Sequence, residues 1–204
     1  MMYIPKQYKE TNDEEIFQFM QKHSFATIVS VKEGSPLATH IPVEVSKRDG
    51  HWYITGHLSK ANPQWKTFEK GEVLIIFQGP HAYVSASWYD QPNVSTWNYE
   101  AVHVYGNVDL IEGDALKEMV IAMMRKYESE MKKPVKIEDI PKNVFNRDLK
   151  GIVGFELRVT RMEAAYKLSQ NRHDDDYASI VSHLERGNEQ SQQVASEMKR
   201  KQKK

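Results

Sequence analysis

Residues 56–64, Gly-His-Leu-Ser-Lys-Ala-Asn-Pro-Gln, gather the side chains of this chain best suited to hold an anion. They follow Trp52-Tyr53-Ile54-Thr55, which reads as a strand. Asn62 before Pro63 suits an N-cap with proline at the first helical position. His57, Ser59, Lys60 and Gln64 therefore collect where a strand hands over to a helix N-terminus. Free N–H groups and the positive end of the helix dipole favour negative charge there, and Lys60 adds a full one. A phosphate-bearing ligand fits such a corner. The same residues also read as an ordinary capped turn.

Two polar-aromatic clusters offer a different chemistry. One is Ser95-Thr96-Trp97-Asn98-Tyr99 and the other Lys167-Leu168-Ser169-Gln170-Asn171-Arg172. Trp97 and Tyr99 could lie against a planar ligand. Amides both donate and accept, so Asn98, Gln170 and Asn171 could satisfy ring carbonyls and nitrogens. Arg172 could grip a phosphate with its forked guanidinium. Loop residues that simply tie strands together would look the same. His40, His57, His81 and His103 fall in or beside strand-like segments, but no helical His-x-x-x-His pair exists, so no metal site is expected. Ser85 and Ser87 lack the nucleophile elbow of a hydrolase, and no catalytic residue is singled out.

The elements that must position these residues are mostly short strands. Phe25 to Val31, Leu37 to Val45, His51 to Thr55, Val73 to Gln78, Ala82 to Ser87, Thr96 to Leu110 and Val153 to Val159 have strand character. Gly34-Ser35-Pro36, Asp49-Gly50 and Gly79-Pro80 separate them as turns. Helices are expected after Thr11 or Asn12, over 114–131 with an apolar stripe from Leu116 to Tyr127 that reads as core, after Glu138, and from Asp174 to Gly187. Many strands with few intervening helices suggest a small antiparallel barrel with peripheral helices, mostly β and of α+β class. Neither a dinucleotide fingerprint nor a phosphate loop of the Walker type is present. The organisation expected is one domain over 1–187 and a polar, basic, disordered tail over 188–204.

Composition bounds the rest. Of 204 residues, 40% are apolar and 27% charged, as in a soluble globular protein. The formal net charge is zero, so no global field selects nucleic acid. The absence of cysteine removes disulfides, thiolate zinc sites and a thiol nucleophile. Met1 to Glu10 lacks the apolar core of a signal peptide, and no run is long enough to span a bilayer. A cytoplasmic protein without membrane contact is expected.

Several motifs, in order along the chain, carry a resemblance. They are Met2-Tyr3-Ile4-Pro5, Ala38-Thr39-His40-Ile41-Pro42, Gly56-His57-Leu58 with Ala61-Asn62-Pro63-Gln64-Trp65, and Phe77-Gln78-Gly79-Pro80-His81-Ala82-Tyr83-Val84-Ser85. Thr96-Trp97-Asn98-Tyr99, Val102-His103 with Tyr105-Gly106, and Lys167 to Arg172 continue them. Together they strongly resemble the PaiB family over roughly residues 1–185. The resemblance implies an FMN-binding split β-barrel, homodimeric, with FMN in a cleft between protomers. It implies a negative transcriptional regulator linked with protease synthesis and sporulation, acting as a repressor directly or indirectly. It places the flavin phosphate on His57, Ser59, Lys60, Asn62 and Gln64, with Thr39 and His40 facing the isoalloxazine edge. Trp97, Asn98 and Tyr99, with Lys167, Ser169, Gln170, Asn171 and Arg172, would close the cleft. A flavin-dependent oxidoreductase and a haem-binding relative are the alternatives. No recognition helix for DNA is evident, and only the basic tail would attract it.

Overall fold

Two-residue turns set the register of the central strands. Glu33 and Gly34 (φ 52° and 82°) join β2, Phe25–Lys32, to β3, Ser35–Arg48. Asp49 and Gly50 (φ 49° and 78°) join β3 to β4, His51–Ser59. Left-handed conformation at both central residues matches the twist of a hairpin, which is why glycine follows an acidic residue in each. The pairing is antiparallel, with Thr27 opposite His40 and Val45 opposite Ile54.

The protein is described here by a computed structural model over residues 1–202. The remaining strands are β1, Lys9–Glu10, β5, Val73–Val84, β6, Thr96–Ile111, and β7, Ile152–Lys167. The helices are α1, Asp13–Lys22, α2, Gly113–Glu128, α3, Lys142–Lys150, α4, Asp174–Glu185, and α5, Glu189–Gln202. A 3-10 helix spans Pro63–Lys70. Strand order in the sheet is β1-β7-β4-β3-β2-β5-β6, and β6 also pairs with β7. The mostly β, split-barrel class expected from the sequence is the class observed.

Contacts divide the chain into two compact units that interleave in sequence. The first comprises residues 1–23, 77–103 and 163–204, the second residues 24–76 and 104–162. In the second unit, Ile28, Val43, Ile54, Ile75, Phe155 and Leu157 are buried together. Phe68 meets Phe155 edge-on at 5.6 Å between ring centres. Gly106 lies against β7 so tightly that a Cβ there would sit 2.3 Å from the Arg158 carbonyl oxygen. In the first unit, Phe19, Met20, Leu168, Ile180, Leu184 and Met198 are buried.

Of the two caps the sequence offers, Thr11 and Asn12, it is Asn12 that opens α1. Its Oδ1 accepts from the Glu14 and Glu15 N–H groups at 3.0 and 3.2 Å. Asn12→Ala should lower stability by about 1 kcal/mol, read as a shifted urea midpoint with unchanged slope.

Three expectations are corrected. Gly79-Pro80 is no turn, because β5 runs through it. Glycine is required there by the Phe19 ring, which lies 2.6 Å from the site of a Cβ. The α2 stripe is only partly core, with Leu116 and Met123 buried and Tyr127 exposed. The tail expected to be disordered is α5 over Glu189–Gln202. Its short stripe of Val194, Ala195 and Met198 is fully buried, and the Tyr177 hydroxyl donates to the Met198 carbonyl at 2.7 Å. The same expectation for Lys203 and Lys204 lies outside the described residues.

Candidate functional site

Asn62 caps the 3-10 helix after β4. Its Oδ1 accepts from the Gln64 N–H at 3.0 Å, and Pro63 takes the first helical position. That geometry is the one read from Asn-Pro in the sequence. The neighbouring corner is formed by residues far along the chain. β4 pairs with β7, His57 opposite Gly154 and Ser59 opposite Ile152. The Lys60 N–H donates to the Gly151 carbonyl at 2.8 Å, which ties the turn to the end of α3.

The result is a cleft of about 590 Å³ in the second unit. Thr39, His40, His57, Ser59 and Asn62 line it, joined by Arg147, Asp148 and Gly151. Its size falls within the range of cofactor sites. His57 is half-buried, and its Nδ1 is enclosed with no hydrogen-bond partner. Burial holds the His57 pKa below the usual histidine value, which favours the neutral ring. Arg147 is exposed, its Nε donating to Asp148 Oδ1 at 2.8 Å.

Two residues expected at this site lie elsewhere. Gln64 is buried, and its Nε2 donates to the Ile28 and Leu37 carbonyls, both at 3.1 Å. Its Oε1 accepts from the Thr39 hydroxyl, which in turn accepts from Asn62 Nδ2 at 2.9 Å. Both Gln64 donors and its oxygen are thus engaged in tying strands together. Lys60 lines a separate depression of about 290 Å³ with Glu112, Leu149 and Lys150. Thr39 and His40 do not share a face, because neighbours on a strand point to opposite sides. Thr39 turns to Gln64, while His40 Nδ1 bonds the Thr27 hydroxyl at 2.9 Å and its ring stacks on exposed Phe25.

The other cluster belongs to the first unit, and its amides are also committed. Asn98 is fully buried and exchanges hydrogen bonds with the Ser169 hydroxyl at 2.9 and 3.0 Å. Gln170 Oε1 accepts from the Leu168 N–H at 2.7 Å, and its Nε2 donates to the Tyr166 carbonyl at 2.5 Å. Asn171 Oδ1 accepts from the Tyr8 hydroxyl at 3.1 Å. Lys167 donates to the Thr96 hydroxyl. Burial, then the Arg172 charge, lowers the pKa of Lys167. Arg172 lies over the Tyr89 ring at 4.7 Å. Trp97 remains exposed and meets Tyr83 edge-on at 5.8 Å, with His81 beside it. Tyr99 is half-buried.

Sequence reasoning missed two places. Arg147 and Asp148 enter the cleft only because α3 returns to the β4 turn, and no local pattern announces such a long-range contact. Glu100 in β6 is 1% exposed with neither carboxylate oxygen partnered. The only signal for it was a charged residue at an inward position of an alternating strand.

Comparison with known proteins identifies the family and the fold. Residues 2–161 match the family model described as "Putative FMN-binding domain". The chain is 49% identical over 205 residues to "Protease synthase and sporulation protein PAI 2" of Bacillus subtilis, covering 100% of this chain and 99% of that one. Among solved structures it resembles the FAD and haem binding protein of Mycobacterium smegmatis at 16% identity, with a TM-score of 0.59, covering 84% and 80% of the two chains. It also resembles the flavocytochrome Anf3 of Azotobacter vinelandii at 15% identity, with a TM-score of 0.57, covering 86% and 78%. These two likenesses concern the fold alone. Full-length identity at this level, together with the family match over most of the chain, makes this protein a member of the FMN-binding PaiB family.

Proposed function

We propose that this protein binds FMN in the cleft between β3, β4 and α3, and that the bound flavin governs a negative regulator of genes for protease synthesis and sporulation. The convergence of polar Ser59, Asn62 and Arg147 with apolar Ile41, Pro42 and Leu58 on one cleft of about 590 Å³ carries this reading. Ser59 offers a hydroxyl and Arg147 a guanidinium to a phosphate, while Ile41, Pro42 and Leu58 supply apolar wall for a ring. The donor set therefore fits a ligand with an anionic end and a flat polar body. Bound FMN supplies hydride chemistry at its ring, and the protein's part is to hold and orient that ring.

We further propose a homodimer, supported by the exposed Phe25 and Val31 on β2. Regulation without direct DNA reading is supported by the state of the basic residues of α5. Lys199 pairs with Glu185, Arg200 with Glu15 and Glu197, and Lys201 with Glu10 and Glu15. Cations held this way are poor phosphate ligands, so a partner protein or small molecule conveys the signal.

Titration of purified protein with FMN and with riboflavin, followed by flavin fluorescence, tests the site. Arg147→Ala should weaken FMN roughly tenfold to a hundredfold and leave riboflavin nearly unchanged, as loss of a charged phosphate contact requires. Equal losses for both ligands, or none for either, would refute the assignment.

A further inference from the structure

Glu100 is the least comfortable side chain in the first unit. It is buried on β6 beside Gly79, against which the Phe19 ring packs, and lies two residues along from Asn98, which meets Met198 of α5. Neither of its oxygens has a hydrogen-bond partner. The charged and titratable groups that bear on it come from three elements. They are Lys22 of α1, Glu197, Arg200 and Lys201 of α5, and Tyr166 of β7. Around these stand Glu10 of β1, Glu15 of α1 and His23, which follows α1.

The cations in this set are already taken. Lys22 binds Glu197 at 2.9 Å, Arg200 binds Glu15 and Glu197 at 2.6 and 2.7 Å, and Lys201 binds Glu10 and Glu15 at 2.5 and 3.1 Å. Glu10, Glu15 and Glu197 thus balance Lys22, Arg200 and Lys201 one for one. An ionised Glu100 is an extra negative charge, shielded from solvent and acted on by the charge of Glu197. A proton on Glu100 removes that charge. To hydrate or pair an ionised Glu100 a neighbour has to move: α5 lifts, or Lys22, Arg200 or Lys201 leaves its present partner.

We propose that Glu100 is a proton-operated latch on α5: the helix stays seated while the carboxyl holds its proton, and release of that proton to solvent loosens the helix and its ion pairs to β1 and α1. Burial first, and Glu197 second, push the Glu100 pKa up to about 7, which sets the switch in the physiological range. Once α5 lifts, the carboxyl is hydrated and returns towards its ordinary value of 4.5. Opening therefore becomes easier as pH rises from about 4.5 to 7 and levels off above that. The latch reaches the polar cluster of the same unit, because Asn98 Nδ2 rests on Met198 Sδ of α5 at 3.5 Å. A rise in pH would thereby release the segment around Asn98 and Ser169.

Hydrogen exchange of peptides spanning residues 189–202 tests the latch, with wild type and Glu100→Gln compared at each pH so that the intrinsic pH dependence of exchange cancels. The opening equilibrium of wild-type α5 should increase by about tenfold from pH 6 to pH 8 relative to Glu100→Gln. Identical profiles would overturn the proposal. Should Glu100→Gln fail to fold, carboxyl-carbon NMR of wild type decides instead. A Glu100 midpoint near neutrality, with loss of α5 cross-peaks over the same range, supports the latch. A midpoint in the ordinary carboxylate range refutes it.

Discussion

Gln64→Leu is expected to destabilise the protein by about 3 kcal/mol, more than a hundredfold in the folding equilibrium, although sequence alone placed this residue on a ligand. The substitution keeps the volume but removes both donors to the Ile28 and Leu37 carbonyls and the acceptor of the Thr39 hydroxyl. Gln64 is 2% exposed, so water cannot replace the lost partner at the buried Ile28 carbonyl and does so only in part at the Leu37 carbonyl. Each buried group left unsatisfied costs roughly 1–3 kcal/mol. Urea unfolding should show a lower midpoint with an unchanged slope. Lys60→Ala, at an exposed position, should stay within about 0.5 kcal/mol of wild type. A Gln64→Leu protein of normal stability that has lost FMN affinity would restore the ligand role.

Stability should also fall with rising pH because of Glu100. The folded state holds the proton up to about pH 7, whereas the unfolded chain releases it near 4.5. Below the lower value both states are protonated and the group contributes nothing. Between the two values only the unfolded state has lost its proton, so folding is progressively penalised. Above the higher value the penalty is complete. Across pH 5 to 8 this amounts to about 2.5 kcal/mol. Histidines act in the opposite sense. Burial lowers the pKa of His23, His57 and His103, so folding must exclude protons from them below about 6.5 and stability there rises with pH. The Glu100 contribution is accordingly the difference between wild type and Glu100→Gln in parallel urea titrations. That difference should widen as pH rises, and a constant difference would exclude the shifted carboxyl.

The sequence by itself determined what depends on neighbours in the chain. Paired glycine turns at Gly34 and Gly50, the Asn12 and Asn62 caps and the period-two strands were legible because each is a local preference of φ, capping or alternation. The ordered motifs identified the family for the same reason, being short strings read in place. Where the polar side chains spend their hydrogen bonds was decided only in three dimensions. Gln64, Asn98 and Gln170 look like ligand amides in a string of letters, yet each meets a carbonyl or hydroxyl supplied by another strand or by its own turn. Arg147 reaches the cleft through the bond from Lys60 to Gly151, across most of the second unit's sequence. Helix α5 is held by a stripe of Val194, Ala195 and Met198 too short to stand out from its polar background, and by ion pairs to residues near the start of the chain. Burial of that stripe, and of Glu100 beneath it, is a property of packing, and packing joins residues that the sequence keeps far apart.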